Sequence, residues 1–114
     1  MIDFEFGQVV LVRFPFTDQS SGKQRPAIVI SNFQYNKSKP DIILIAVTSQ
    51  VKKARSLGEA LIDSWKEAGL LKTSVIKPVI FTAEKSIIKK TLGKLEHQDL
   101  ISLQDSIQSI IGEK

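Results

Sequence analysis

Gly7-Gln8-Val9-Val10-Leu11-Val12-Arg13-Phe14-Pro15 opens a stretch that continues through Phe16-Thr17-Asp18-Gln19-Ser20-Ser21-Gly22-Lys23-Gln24 into Arg25-Pro26-Ala27-Ile28-Val29-Ile30-Ser31. Residues 9–14 are β-branched and nearly all apolar, which reads as a strand, and Pro15 ends it. Residues 16–24 are polar, and Asp18, Ser20, Ser21 and Gly22 carry turn chemistry. Arg25 stands before Pro26, and a residue before proline is driven towards extended backbone. Residues 27–30 then read as a second strand. Strand, polar loop and strand form a hairpin-like unit that places Arg25 where a mobile type of segment meets a rigid one.

Working outward, residues 31–39 are polar and read as a short turn or helical twist before Pro40. Ile42-Ile43-Leu44-Ile45-Ala46-Val47 is the strongest strand, apolar on both faces and therefore expected at the centre of a covered sheet. Residues 51–58 make a basic loop, Glu59 to Ile62 a short strand, and Asp63 is expected to cap one turn over residues 64–68 closed by Gly69. Residues 74–80 and 86–91 read as strands, with Pro78 marking an edge or a bulge. From Glu96 the period changes. Leu100, Leu103, Ile107, Ile110 and Ile111 recur at threes and fours, the stripe of an amphipathic helix. Glu96 and Asp99 suit its positive end, and Gly112 its C-terminal cap. The expectation is a mainly β fold, a strongly bent antiparallel sheet or small barrel, with a C-terminal helix packed on it.

With 114 residues the chain suits a single domain, 1–114. Its 42% hydrophobic and 25% charged residues describe an ordinary globular domain. There is no cysteine, which removes thiolate metal sites, thiol nucleophiles and disulfide staples. Neither a signal-peptide pattern nor an apolar run long enough to span a bilayer is present, so a cytoplasmic protein with no membrane role is expected. The net charge of +4 is uneven. Residues 1–58 hold eight Lys/Arg against four acids, whereas the remainder is balanced. A basic half suits a phosphate-binding surface; a basic soluble protein without a nucleic-acid role has the same composition.

The opening stretch, with Arg-Pro leading the second strand after a Pro-Phe-Thr-Asp loop, resembles the signature of PemK/MazF toxins. Val47-Thr48-Ser49-Gln50 is similar to that family's second block. Leu70-Leu71-Lys72-Thr73-Ser74-Val75-Ile76-Lys77 and Leu92-Gly93-Lys94-Leu95 are similar to its later ones. The resemblance runs in order along nearly the whole chain. It implies an SH3-like small barrel of the PemK/MazF/CcdB type, working as a homodimer. It also implies a type II toxin that cuts single-stranded mRNA selectively, without metal or other cofactor, and is neutralised by a cognate antitoxin.

On that resemblance Arg25 and Thr48 are the catalytic residues. Arg25 stabilises charge on the reacting phosphate, since a guanidinium binds two phosphate oxygens and stays charged, and the Thr48 hydroxyl binds the same phosphate. Read alone, the two are equally a surface arginine at a strand start and a strand-end threonine satisfying nearby backbone. Phe16, Thr17, Gln19 and Lys23 belong to a loop expected to close over RNA. Phe16 either stacks on a base or packs as a core aromatic. Ser49 and Gln50 can donate to phosphate or base edges, and Lys52 and Lys53, with Arg55, can track a phosphate backbone or form a solvated loop. His97, in the first turn of the helix, is expected at the surface, and Trp65 in the core or an interface. Some family members carry an acid–arginine pair in the later strands; no Asp-x-Arg stands there in this sequence, so it names no general base. Two other functions fit the same fold: a CcdB-like toxin that binds DNA gyrase, and a non-catalytic nucleic-acid-binding module.

Overall fold

A computed structural model describes residues 3–13 and 24–112. In chain order the elements are β1 (Gln8–Arg13), β2 (Gln24–Val29), α1 (Phe33–Ser38), β3 (Asp41–Thr48), β4 (Ala60–Ile62), β5 (Ser74–Glu84), a 3-10 turn at Lys85–Ile87, β6 (Ile88–Lys94) and α2 (His97–Ile110). The six strands form one antiparallel sheet in the order β4-β5-β3-β2-β1-β6. The apolar run predicted as the central strand is β3, flanked by β2 and β5.

Alternation along the strands gives the sheet two covered faces, because successive side chains point to opposite sides. On one face Val9, Ile28, Ile45, Val47, Ile62 and Ile76 pack with Leu103 of α2, joined by Leu100 and Ile107. The other face gathers Phe4, Val10, Val12, Ala27, Val29, Ile42 and Leu44, with Phe81, Ile87 and Ile88 brought over them from the β5–β6 end. A sheet buried on both sides, one by a helix and one by its own returning strands, has to curl. Irregular pairing marks where it bends, at Val9/Val10 and Leu11/Val12 of β1 against β6 and between Ile45 and Val47 of β3 against β5.

Several boundaries differ from expectation. The second strand begins at Gln24, so Arg25 lies inside β2 and pairs with Val12. Residues 33–38 form a helix capped by the Asn32 side chain, which accepts from the Tyr35 N–H at 2.9 Å. The fifth strand runs on to Glu84, beyond the expected end at Ile80. Gly112 does not supply a left-handed cap: α2 closes at Ile111 in extended backbone. The turn at 63–69 is present and Gly69 takes φ 87°. Its first N–H groups are satisfied from elsewhere, however. Asp99, fully buried in the first turn of α2, accepts from Asp63 N at 2.9 Å and Ser64 N at 2.8 Å. Besides standing at the positive end of the helix as expected, Asp99 is the clamp between the helix and the 63–69 turn.

Candidate RNA-contacting face

The ladder between β2 and β3 pairs Ala27 with Ala46, Ile28 with Ile45 and Val29 with Leu44. Continuing that register beyond the last bonded pair sets Arg25 across from Thr48. On its other side Thr48 pairs with Val75 of β5, and Val75 with Leu61 of β4. Opposed residues of an antiparallel pair share a face and have Cβ atoms about 5 Å apart. Arg25 and Thr48 therefore sit together at one end of the sheet. Their alternation matches Ala27, Val29, Ile42 and Leu44, so they are on the face turned away from α2.

Arg25 is exposed, and among the described residues its guanidinium has no ion-pair partner; the one ion pair there joins Lys94 to Glu5. A guanidinium displayed at a strand end, with its backbone held in the sheet, is available to an anion at little ordering cost. Thr48 is half-buried, and its Oγ1 accepts from the Gln50 N–H at 3.1 Å. That bond fixes the turn leaving β3. It also occupies a lone pair of the hydroxyl and leaves the O–H proton free to donate. The pairing thus offers two donors, one charged and one neutral, side by side, a fit for two oxygens of one phosphate.

Ser49, Gln50, Lys52, Lys53 and Arg55 are all exposed in the segment that follows Thr48. Arg55 joins Ser56–Ala60 and the α2 residues Ser102, Asp105, Ser106 and Ser109 around an open cavity of about 460 Å³, on the helix side. Lys52 lies near Glu59 of that lining, as does Lys77 of β5. The Glu59 pKa is lowered, chiefly because its carboxylate accepts from the Ser56 N–H at 2.9 Å and secondarily by these two ammonium groups. Phe16, Thr17, Gln19 and Lys23 lie outside the described residues. His97 is exposed at the start of α2, and Trp65 is half-buried against the core with the Lys66 ammonium 5.8 Å from its ring centre. Among the described residues no three of His, Asp and Glu converge as a metal-binding group.

Residues 5–111 match the family described as PemK-like, MazF-like toxin of type II toxin-antitoxin system. The chain belongs to this family. A curated relative, Endoribonuclease MazF of Staphylococcus epidermidis, is 29% identical over 99 residues, covering 86% of this chain and 82% of the relative. Two solved structures share the fold. A mycobacterial endoribonuclease in complex with its cognate antitoxin superposes at a TM-score of 0.74 with 14% identity, over 96% of this chain and 99% of the other. A MazE-MazF crystal structure from Deinococcus radiodurans does so at 0.77 with 18% identity, over the full length of both. The small curled barrel with a terminal helix is thus the architecture of MazF toxins.

Lys77 is a cation at this end of the molecule that the sequence reading passed over as part of a strand. Its proximity to Lys52 depends on how β5 pairs with β3 and β4. The only sequence cue was Pro78 beside it.

Proposed function

We propose that this toxin is a sequence-selective, metal-independent endoribonuclease acting on single-stranded mRNA, built as one domain over residues 1–114. The observation that carries the reading is the register that sets Arg25 opposite Thr48. RNA brings its own nucleophile. The 2′-oxygen attacks the adjacent phosphorus, the P–O5′ bond breaks, and the products are a 2′,3′-cyclic phosphate and a 5′-hydroxyl. The protein's work is to hold that phosphate in line and to stabilise the charge that grows on its non-bridging oxygens. Arg25 supplies the charged, two-pronged donor and Thr48 the neutral one. Both are on a face whose backbone is fixed by the sheet. Ser49, Gln50, Lys52 and Lys53 extend the donor surface along the flanking nucleotides, and Phe16, Thr17, Gln19 and Lys23 close over the strand from the preceding loop.

The partners of this reading are a cognate antitoxin and a second copy of the chain. Both proposals draw on the relatives, which are named as endoribonucleases and, in two of the structures, as toxin–antitoxin complexes. Light scattering at micromolar concentration should return a dimer; a mass of 12.7 kDa would remove that part. Co-expression with a candidate antitoxin should suppress toxicity, and unrelieved toxicity would argue against that candidate.

The decisive experiment incubates wild type and Arg25→Ala with a long single-stranded RNA in EDTA and maps the fragment ends. Discrete cuts carrying 2′,3′-cyclic phosphate ends in wild type, lost in Arg25→Ala, are expected. An intact RNA with folded, antitoxin-free wild type would refute the nuclease reading and return the gyrase-binding and binding-module alternatives.

A further inference from the structure

The pairing of β3 with β5 is not continuous. Ile45 pairs with Ile80 and Val47 with Ile76, so Lys77, Pro78 and Val79 together face the single residue Ala46. The cause is local. Pro78 has no N–H to give to the ladder, and the pairing with β4 has already ended at Ala60 and Ile76. Extra residues in one strand bend it outward and re-aim its side chains. Alternation puts Lys77 on the same face as Val75, and Val75 is the partner of Thr48. Lys77 thus stands two residues along β5 from the partner of Thr48, where the regular pairing ends, within the reach of a long side chain.

We propose that Lys77 is a second phosphate-binding residue of the RNA site, taking the phosphate next to the one held by Arg25 and Thr48. This rests on the endoribonuclease reading and gives a role in it to a residue to which the resemblance assigned none. The ammonium is free for the task. Lys77 is exposed and forms no ion pair with any described residue. Glu59, the acid that Lys77 acts on, is tied to the Ser56 N–H at 2.9 Å and shared with the cation Lys52. A carboxylate shared between two ammonium groups and a backbone N–H does not neutralise Lys77.

The test measures binding of wild type to a single-stranded RNA in which 2′-O-methyl groups block cleavage, across a series of KCl concentrations, and repeats it with Lys77→Gln, Lys77→Arg and Lys39→Gln. Lys39 precedes β3 at its far end, some 30 Å from Thr48 by strand rise, and its loss makes the same change in net charge. Lys77→Gln should weaken binding about fivefold and flatten the log–log salt dependence by about 0.7, the share of one phosphate on a single strand. Lys77→Arg should restore both, and Lys39→Gln should change neither. On a cleavable RNA, Lys77→Gln should act through KM with kcat nearly kept, because the contact is made before and during reaction alike. An unchanged slope for Lys77→Gln, or an equal loss in Lys39→Gln, would overturn the proposal while leaving the nuclease reading intact. Failure of wild type to bind the RNA at all would overturn both.

Discussion

Replacing Arg25 by lysine and Thr48 by valine, singly and together, tests whether the two side chains act on one phosphate. Lysine keeps the charge of Arg25 but gives up the two-pronged geometry. Valine keeps the shape of Thr48 and removes the hydroxyl. A hydrogen bond to a charged group contributes about 1.5–3 kcal/mol, so each single variant should slow cleavage roughly 10- to 150-fold. The β2–β3 register sets the two positions across from one another. Residues sharing a partner couple by about 0.5–3 kcal/mol, whereas independent sites add to within about 0.5. The double variant should therefore fall short of the product of the single effects by about threefold or more. The assay is single-turnover cleavage of a short fluorogenic RNA with enzyme in excess, which isolates the bond-breaking step from product release. Thr48→Val also frees the Gln50 N–H, which bonds Oγ1 at 3.1 Å. Thr48→Ser is the control, because it retains both that bond and the donor, and it should keep most of the activity. Strict additivity of Arg25→Lys and Thr48→Val would mean that the register does not bring them to one phosphate, and the site drawn here would be wrong.

Three further outcomes concern the frame that carries the site. Asp99→Ala orphans two N–H donors under a fully buried carboxyl, so it should cost about 2–5 kcal/mol in urea unfolding, with Asp99→Asn, which retains one acceptor, losing less; equal stability of all three would refute the clamp. Gly93→Ala would place a Cβ 2.5 Å from the Ala68 carbonyl oxygen, so the 63–69 turn must move off β6; a fall in Tm of roughly 5–15 °C is expected, and an unchanged Tm would show that this approach is not tight. Glu59 has its pKa lowered in the folded state, so its contribution is present above the ordinary carboxylate pKa and lost as pH falls through the lower folded value. Glu59→Gln should flatten the acid limb of the stability–pH curve, and an unaltered limb in Glu59→Gln would count against the Ser56 contact.

The order of the elements was legible because it depends on local rules, whereas Arg25 and Thr48 were marked only by the family resemblance. A β-branched run bounded by proline reads as a strand wherever it ends up, and a three-four stripe such as Leu100, Leu103 and Ile107 reads as a helix face. What stayed hidden depends on partners distant in sequence. Nothing near Asp99 announces that its carboxyl will be buried under Asp63 and Ser64, since the N–H groups it satisfies are 35 and 36 residues away. An acid early in a helix reads as dipole-matched charge, which Asp99 is, but that reading says nothing of the clamp it also forms. The left-handed cap expected at Gly112 did not form. A glycine permits that conformation without requiring it, and the helix closes one residue earlier, at Ile111 in extended backbone, with Ile110 packed close to Gly58.

Lys77 is the sharper case, because the sequence did carry a cue to it. Pro78 was read as an edge or a bulge, and it is at both. The β4 pairing stops just before it, and the β3 pairing is irregular across it. A proline next to a lysine in an otherwise apolar strand says that the lysine can be thrown outward, but not towards what. The direction comes from register alone. Val75 opposes Thr48, Thr48 opposes Arg25, and a two-residue step along β5 carries Lys77 onto the same face. The phosphate-binding surface proposed for this toxin is therefore assembled from two residues that the family resemblance marks and one that only the pairing of strands can reveal. The salt slope of Lys77→Gln separates that third residue from the first two.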